Sequence, residues 1–198
     1  MMAKIEKSLD FSKIKAFAFD VDGVFTDGGI LCDLAGELYR TFDSKDGFGV
    51  RMATMKGYPS AIITGGRSGS IVARFKTCGI GPDDVYLGSR DKVADFNDFC
   101  RKYSLKHEDV LYIGDDIPDM EVLSMCGIGV SPADGVAEIL EIADYVSPYP
   151  GGRGCVRDAV EKAAEAETPA DGTYTCDVTL EGGSGRATVE SPAALTVA

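Results

Sequence analysis

The sequence predicts a three-layer α/β/α sandwich around a parallel sheet, and three observations carry that reading. Short apolar runs such as Phe17-Ala18-Phe19, Ala61-Ile62-Ile63 and Val110-Leu111-Tyr112-Ile113 look like strands buried on both faces. Stretches with apolar residues at helical spacing alternate with them, which implies parallel crossovers and a doubly wound, Rossmann-like sheet. The chain has 198 residues, 44% hydrophobic and 26% charged, enough for one such domain with an appendage.

The first strand is followed by a turn, Thr26-Asp27-Gly28-Gly29. Two short β-like runs, Ile30-Leu31-Cys32 and Leu38 to Phe42, then flank a glycine-containing loop and predict a hairpin. Phe48 to Met55 reads as a helix closed by Gly57. Ala61 to Thr64 is the next strand, Ser70 to Cys78 a helix stopped by Gly79, Val85 to Gly88 a strand, and Lys92 to Tyr103 a helix. Val110 to Gly114 is a strand that runs into Asp115-Asp116. Pro118 suits the first turn of a helix ending near Met125. Gly127 to Val130, Ala133 to Ala143, Tyr145-Val146 and Val156 to about Ala166 complete the alternation as strand, helix, strand and helix. These elements place the main domain at residues 1–167.

From Thr168 the character changes. Thr168 to Gly172 is a breaker cluster. Tyr174 to Leu180, Ala187 to Glu190 and Ala194 to Val197 are β-like, with Gly182-Gly183-Ser184-Gly185 intervening. Residues 168–198 are expected to be a poorly ordered, foreign or truncated β-like tail.

Thirty-two acidic against twenty basic residues give a net charge of −12, which disfavours nucleic acid and anionic membranes as partners. No apolar run approaches the roughly 20 residues of a membrane span, and the first residues lack the apolar region of a signal peptide. Six dispersed cysteines without a Cys-x-x-Cys pair read as reduced thiols of a cytoplasmic protein. The lone His107 has no partner for a zinc site and reads as a surface residue.

The chemistry gathers at strand ends. The first strand ends in Asp20 and Asp22, the second in Thr64-Gly65, Lys92 opens the helix after the third, and the fourth ends in Asp115, Asp116 and Asp119. In a parallel sheet all these ends lie on one edge. A carboxylate there can be a nucleophile toward phosphorus. A hydroxyl and an ammonium can hold phosphoryl oxygens. Clustered carboxylates suit Mg²⁺, a hard ion that prefers oxygen ligands. The spacing of Asp20 and Asp22, if both continue the strand, puts them on one face.

Asp20-Val21-Asp22-Gly23-Val24, Ile63-Thr64-Gly65, Lys92 and Gly114-Asp115-Asp116-Ile117-Pro118-Asp119 resemble, in that order, the four motifs of the haloacid dehalogenase superfamily. Its members are mostly Mg²⁺-dependent phosphohydrolases that act through an aspartyl-phosphate. Asp22 to Gly28, Phe42 to Gly49, Ile62 to Gly65 and Gly151-Gly152-Arg153-Gly154-Cys155-Val156-Arg157 are more specifically similar to the 3-deoxy-D-manno-octulosonate 8-phosphate phosphatases. The resemblance covers about residues 10 to 166. It implies hydrolysis of an eight-carbon sugar acid phosphate in lipopolysaccharide precursor synthesis. It implies that Asp20 is the nucleophile and Asp22 the general acid and then base. Thr64, Gly65 and Lys92 would bind phosphate. Asp20, Asp115 and the Asp22 backbone carbonyl would hold Mg²⁺, supported by Asp116 and Asp119, with Asp119 orienting Lys92. Arg67, Arg74 and Arg153 are the candidates for binding the sugar acid.

The resemblance further implies a capless fold, with only the hairpin at about Gly29 to Phe42 after the first motif, and a homotetramer whose neighbouring subunits help close each site. Two features depart from it. Gly66 directly follows Thr64-Gly65, where many relatives have Arg or Glu at a position that helps choose the sugar, and the tail from Thr168 is foreign to the family. Three other readings compete. One is a phosphatase of a nine-carbon sugar acid phosphate. Another is a non-catalytic oligomerisation domain like that of some acylneuraminate cytidylyltransferases, against which the retention of Asp20, Asp22, Thr64, Lys92 and Asp115 counts. The third is a signalling receiver domain, against which the absence of a lone Asp at the end of the second or third strand counts.

Overall fold

Strand β1 (Ala16–Phe19) is fully buried along its length, because side chains on a strand alternate between two faces and both faces here are covered. Phe17 and Phe19 enter one apolar cluster, and Ala16 and Ala18 enter another. Burying each phenylalanine is worth about 2–3 kcal/mol. The computed structural model describes residues 9–166, 173–180 and 183–190.

A hairpin of two short exposed strands, β2 (Leu31–Cys32) and β3 (Leu38–Tyr39), follows β1 and stands apart from the main sheet. The sheet is completed by β4 (Ser60–Thr64), β5 (Val85–Leu87), β6 (Val110–Ile113), β7 (Ile128–Ser131) and β8 (Tyr145–Val146). Its order is β5-β4-β1-β6-β7-β8, with every pairing parallel. The chain winds outward from β1 through β4 to β5, then returns to add β6, β7 and β8 on the other side. The winding therefore reverses between β1 and β6, and a crevice opens there at the carboxyl ends of the strands.

Three helices cover the Phe17 and Phe19 face: α1 (Ser44–Met55), α2 (Gly69–Thr77) and α6 (Cys155–Ala166). They contribute Val50, Ile71, Phe75, Val156 and Val160 to that core. On the opposite face lie α3 (Lys92–Lys102), α4 (Met120–Met125) and α5 (Ala137–Ile142), with Phe96, Phe99, Val122 and Ile139 inward. The expected three-layer sandwich with its parallel sheet and hairpin is thus the fold found.

Several local expectations shift. Helix α1 begins four residues before Phe48, because Asp43 caps it by accepting from Lys45 N at 2.6 Å and Asp46 N at 3.3 Å. Gly47 and Gly49 conceal that start in the sequence. The helix expected over 133–143 is confined to Ala137–Ile142. Residues 132–136 are held elsewhere instead: Ala133 N donates to Tyr149 O and Val136 N to Asp115 O. Pro118 sits in a 3₁₀ turn, Ile117–Asp119, rather than in the first turn of α4, which starts at Met120. Asp22 does not continue β1, which ends at Phe19, so the shared-strand-face argument for Asp20 and Asp22 fails. Asp22 sits in a tight turn closed by Val24 N and Phe25 N on Val21 O.

His107 is half-buried, with Nε2 2.7 Å from Asn97 Oδ1 and its ring against Phe96. In the tail, β9 (Thr173–Leu180) pairs antiparallel with β10 (Gly183–Glu190). Most of the glycine-rich stretch at 182–185 is therefore strand rather than interruption. The expected strand at 194–197 lies outside the described residues.

Candidate active site

Asp20 follows β1 directly and extends its pairing, since its N–H donates to Ile113 O at 3.0 Å. The next residues turn sharply. Gly23 has φ +83°, and a Cβ there would lie 2.0 Å from Asp115 Oδ2, so both the turn and the approach of Asp115 require glycine. Thr26, fully buried, fixes this loop by accepting from Gly23 N and Gly28 N, each at 3.2 Å. The Gly151–Gly154 segment closes over it, with Gly152 N donating to Val24 O at 2.8 Å.

The loop delivers Asp20 and Asp22 to a cavity of about 360 Å³ at the crevice between β1 and β6. Thr64, Gly65, Lys92, Asp115, Asp116 and Asp119 line the same cavity, together with Gly23, Gly28, Gly66, Ser89 and Pro118. A larger cavity of about 680 Å³ lies beyond the amino ends of the strands, lined by Leu9, Lys15 and Asp109 among others. Its charges are already matched, with Lys15 2.8 Å from Asp109 and Lys13 3.4 Å from Asp10. Volume therefore does not decide between the two; the unbalanced charge of the smaller one does.

Lys92 is the first residue of α3, whose cap is Asp91, accepting from Ala94 N at 2.9 Å. The helix dipole disfavours a cation there. Lys92 is nevertheless buried, with Nζ 3.1 Å from Asp20 Oδ2 and 2.7 Å from Asp119 Oδ1. Burial opposes its charge, but these two carboxylates outweigh burial and its pKa is raised. Asp119 is saturated. Its Oδ1 also accepts from Tyr112 OH at 2.5 Å, and its Oδ2 faces the N–H groups of Asp115 and Asp116 at 3.3 and 3.4 Å. It is built to hold Lys92.

Asp20 and Asp115 have no comparable support. Burial pushes Asp20 well above the usual carboxylate range, Asp119 adds to that, and Lys92 offsets it only in part. Burial, Asp20, Asp119 and Asp116 push Asp115 up to about 7. Asp115 Oδ1 is the one buried side-chain oxygen or nitrogen without a hydrogen-bond partner among the described residues. Carboxylate oxygens of Asp20, Asp115 and Asp119 lie within 4.8 Å of one another. An orphaned, buried oxygen in an all-oxygen acidic cluster fits a hard divalent cation such as Mg²⁺. With Asp119 committed to Lys92 and the backbone, Asp20 and Asp115 are the side chains placed to hold it.

The three arginines expected at the substrate lie outside this cavity. Arg67 is exposed and lies against Gly88. Arg74 donates to Asp43 O at 3.2 Å and stands over the Phe42 ring. Arg153 lines a neighbouring cavity of about 260 Å³ with Asp27, Thr41 and Phe42, and pairs with Asp27 at 3.7 Å. The arginine that reaches the acids is Arg40, just after β3, with Nε 2.6 Å from Asp22 Oδ1. Sequence reasoning passed over Arg40, Thr26 and Tyr112. Arg40 carried one available signal, as a cation next to the hairpin in a strongly acidic chain. Thr26 and Tyr112 look like ordinary turn and strand residues.

A family model of haloacid dehalogenase-like hydrolases matches residues 82–156. The 3-deoxy-D-manno-octulosonate 8-phosphate phosphatase of Escherichia coli (strain B / BL21-DE3) is 36% identical over 161 residues, 81% of each chain. The crystal structure of the Yersinia pestis enzyme of that name is similar, with a TM-score of 0.77 at 34% identity, over 80% of this chain and 84% of that one. The Moraxella catarrhalis enzyme, solved with magnesium, phosphate and KDO, has a TM-score of 0.76 at 32% identity, over 79% and 89% of the two chains. The fold, the converging acids and this degree of identity together place the chain in the 3-deoxy-D-manno-octulosonate 8-phosphate phosphatase family of haloacid dehalogenase-like hydrolases.

Proposed function

We propose that this protein hydrolyses 3-deoxy-D-manno-octulosonate 8-phosphate to the free sugar acid and phosphate, with Asp20 as nucleophile. The observation that carries the reading is the set of buried Asp20, Lys92 and Asp119 with half-buried Asp115 at the sheet's switch point, one buried Asp115 oxygen being unpartnered. Family membership supports the substrate.

When bound, Mg²⁺ neutralises the clustered acids and the charge that develops on the phosphoryl group. The chain's own residues do the rest. Lys92 and the Thr64 hydroxyl bind the phosphoryl oxygens, and Asp119 keeps Lys92 aimed at Asp20. An Asp20 carboxylate oxygen bonds to phosphorus as the phosphorus–sugar oxygen bond breaks, and Asp22 gives its proton to the departing sugar oxygen. The product is a phosphoryl group on Asp20 and a neutral sugar hydroxyl. Asp22, now a carboxylate, takes a proton from water. The resulting hydroxide attacks phosphorus, the bond to Asp20 breaks, and phosphate leaves. One water is consumed and both acids are restored.

The reaction belongs to lipopolysaccharide precursor synthesis in the cytoplasm. Among the described residues no helix is long and apolar enough to cross a membrane. The protein works as a homotetramer assembled through the hairpin, whose Leu31 and Leu34 are 71% and 109% exposed. In that assembly Arg67, Arg74 and Arg153 would read the sugar acid from the rim or from a neighbouring subunit. A screen of sugar acid phosphates with Mg²⁺ tests the function. The eight-carbon 8-phosphate should be turned over with the highest kcat/KM, and activity should vanish in excess chelator. Preference for a nine-carbon 9-phosphate, or turnover that persists in chelator, would contradict it.

A further inference from the structure

Asp22 is the group asked to move protons, and it is not left to choose its own rotamer. Arg40 Nε donates to Asp22 Oδ1 at 2.6 Å and Nη2 donates to Oδ2 at 2.9 Å, a fork on both oxygens. The Arg40 side chain is 2% exposed, although it leaves a hairpin whose strand residues are all exposed. Its Nη1 donates to Leu38 O at 3.3 Å, which ties the guanidinium back to β3. A Cβ on Gly66 would lie 2.7 Å from Ile71 Cδ1 and 3.1 Å from Nη2, so the bare backbone there leaves room for both the Ile71 side chain and the guanidinium at the cavity rim. Immobilising so long a side chain costs up to about 2 kcal/mol of conformational entropy.

We propose that Arg40 is a positioning residue that fixes the Asp22 carboxylate toward the reacting phosphorus–oxygen bond, with Gly66 as the gap that admits it. This rests on the reading of Asp22 as the proton-transferring acid. One bond of the fork opens whenever Asp22 carries the proton. The bond to Leu38 O and the packing at Gly66 keep the guanidinium in place while it does.

An aryl ester separates this role from others. Nitrophenolate leaves without needing a proton, so phosphoryl transfer from p-nitrophenyl phosphate to Asp20 does not call on Asp22. The later attack of water does. In the full-length enzyme with Mg²⁺, Arg40→Met is expected to keep a stoichiometric burst of nitrophenolate while steady-state turnover falls about ten- to hundredfold. Turnover of the sugar acid phosphate is expected to fall at least as far, without a burst and with KM nearly unchanged. Arg40→Lys, which keeps the charge but loses the fork, is expected to recover part of the rate. A crystal structure of Arg40→Met is expected to show Asp22 in more than one rotamer.

Loss of the burst in both variants would overturn the proposal. So would a KM increase confined to the sugar acid phosphate with aryl turnover intact, which would make Arg40 a reader of the substrate instead. Asp22→Asn keeps the two claims apart. Wild-type turnover in that variant sinks the reading of Asp22 and the proposal with it. Slow turnover in Asp22→Asn alongside normal turnover in Arg40→Met sinks the Arg40 proposal alone.

Discussion

At the scale of single residues, the site is a set of acids kept close together against their mutual repulsion. Asp20→Asn replaces the proposed nucleophilic carboxylate with a neutral amide, and turnover is expected to fall roughly a thousandfold or more. Its thermal unfolding should remain as cooperative as in the wild type, so circular dichroism melts separate lost chemistry from lost fold. The acids also make stability depend on pH. Burial, Asp20 and its acidic neighbours hold Asp115 at about 7, against an ordinary value of 3.8, and Asp20 is raised as well. Between those values the folded protein holds protons at these groups that the unfolded chain has released. Stability from them is therefore present at low pH and is lost as pH rises toward about 7. Metal-free protein should show this as a fall in Tm from about pH 4 to about pH 7 that levels off above, and Asp115→Asn should flatten it. Added Mg²⁺ should raise Tm most at the upper end, by mass action on the folded state. Equal pH slopes for wild type and Asp115→Asn would contradict this account of the cluster.

At the scale of elements, the site is held by contacts that tie helix starts together. Asp46, fully buried near the start of α1, accepts from Gly154 N at 3.0 Å and Arg157 N at 2.9 Å at the start of α6. Burial raises its pKa, and the backbone donors partly offset that. Asp46→Ala leaves those donors without their acceptor, and the expected cost is about 2 kcal/mol, or roughly 4–8 °C in Tm. A melt within about one degree of the wild type would show that the clamp is not stabilising.

Elements were legible where one periodicity dominated. β1 reads as a doubly buried strand because phenylalanine and alanine alternate on two covered faces. The start of α1 was not legible, because its cap acts through Asp43 while glycines at 47 and 49 weaken the pattern. The 133–143 stretch looked helical throughout, yet Ala133 and Val136 give their N–H groups to Tyr149 and Asp115. Tertiary hydrogen bonds of that kind leave no trace in local sequence. The acids at the strand ends were readable for the opposite reason, since topology alone brings them to one edge. The bond from Arg40 to Asp22 spans 18 residues and depends on how the hairpin folds back, so no spacing announces it.

At the scale of the whole molecule, the hairpin stands apart from the main sheet with its strand residues exposed. Leu31, Leu34 and Tyr39 are exposed there, and in the proposed tetramer they would form the interface. Changing Leu31 and Leu34 together to aspartate is expected to dissociate it, as light scattering would report, and to raise KM for the sugar acid phosphate. An unchanged mass would remove the hairpin from the interface. The central claim is the covalent intermediate on Asp20, and trapping it is the most direct test. Enzyme mixed with substrate and Mg²⁺, then quenched and reduced with borohydride, should carry homoserine at position 20 and aspartate at positions 22 and 115. Turnover that leaves Asp20 unreduced, or homoserine found at Asp22 or Asp115 instead, would contradict the account.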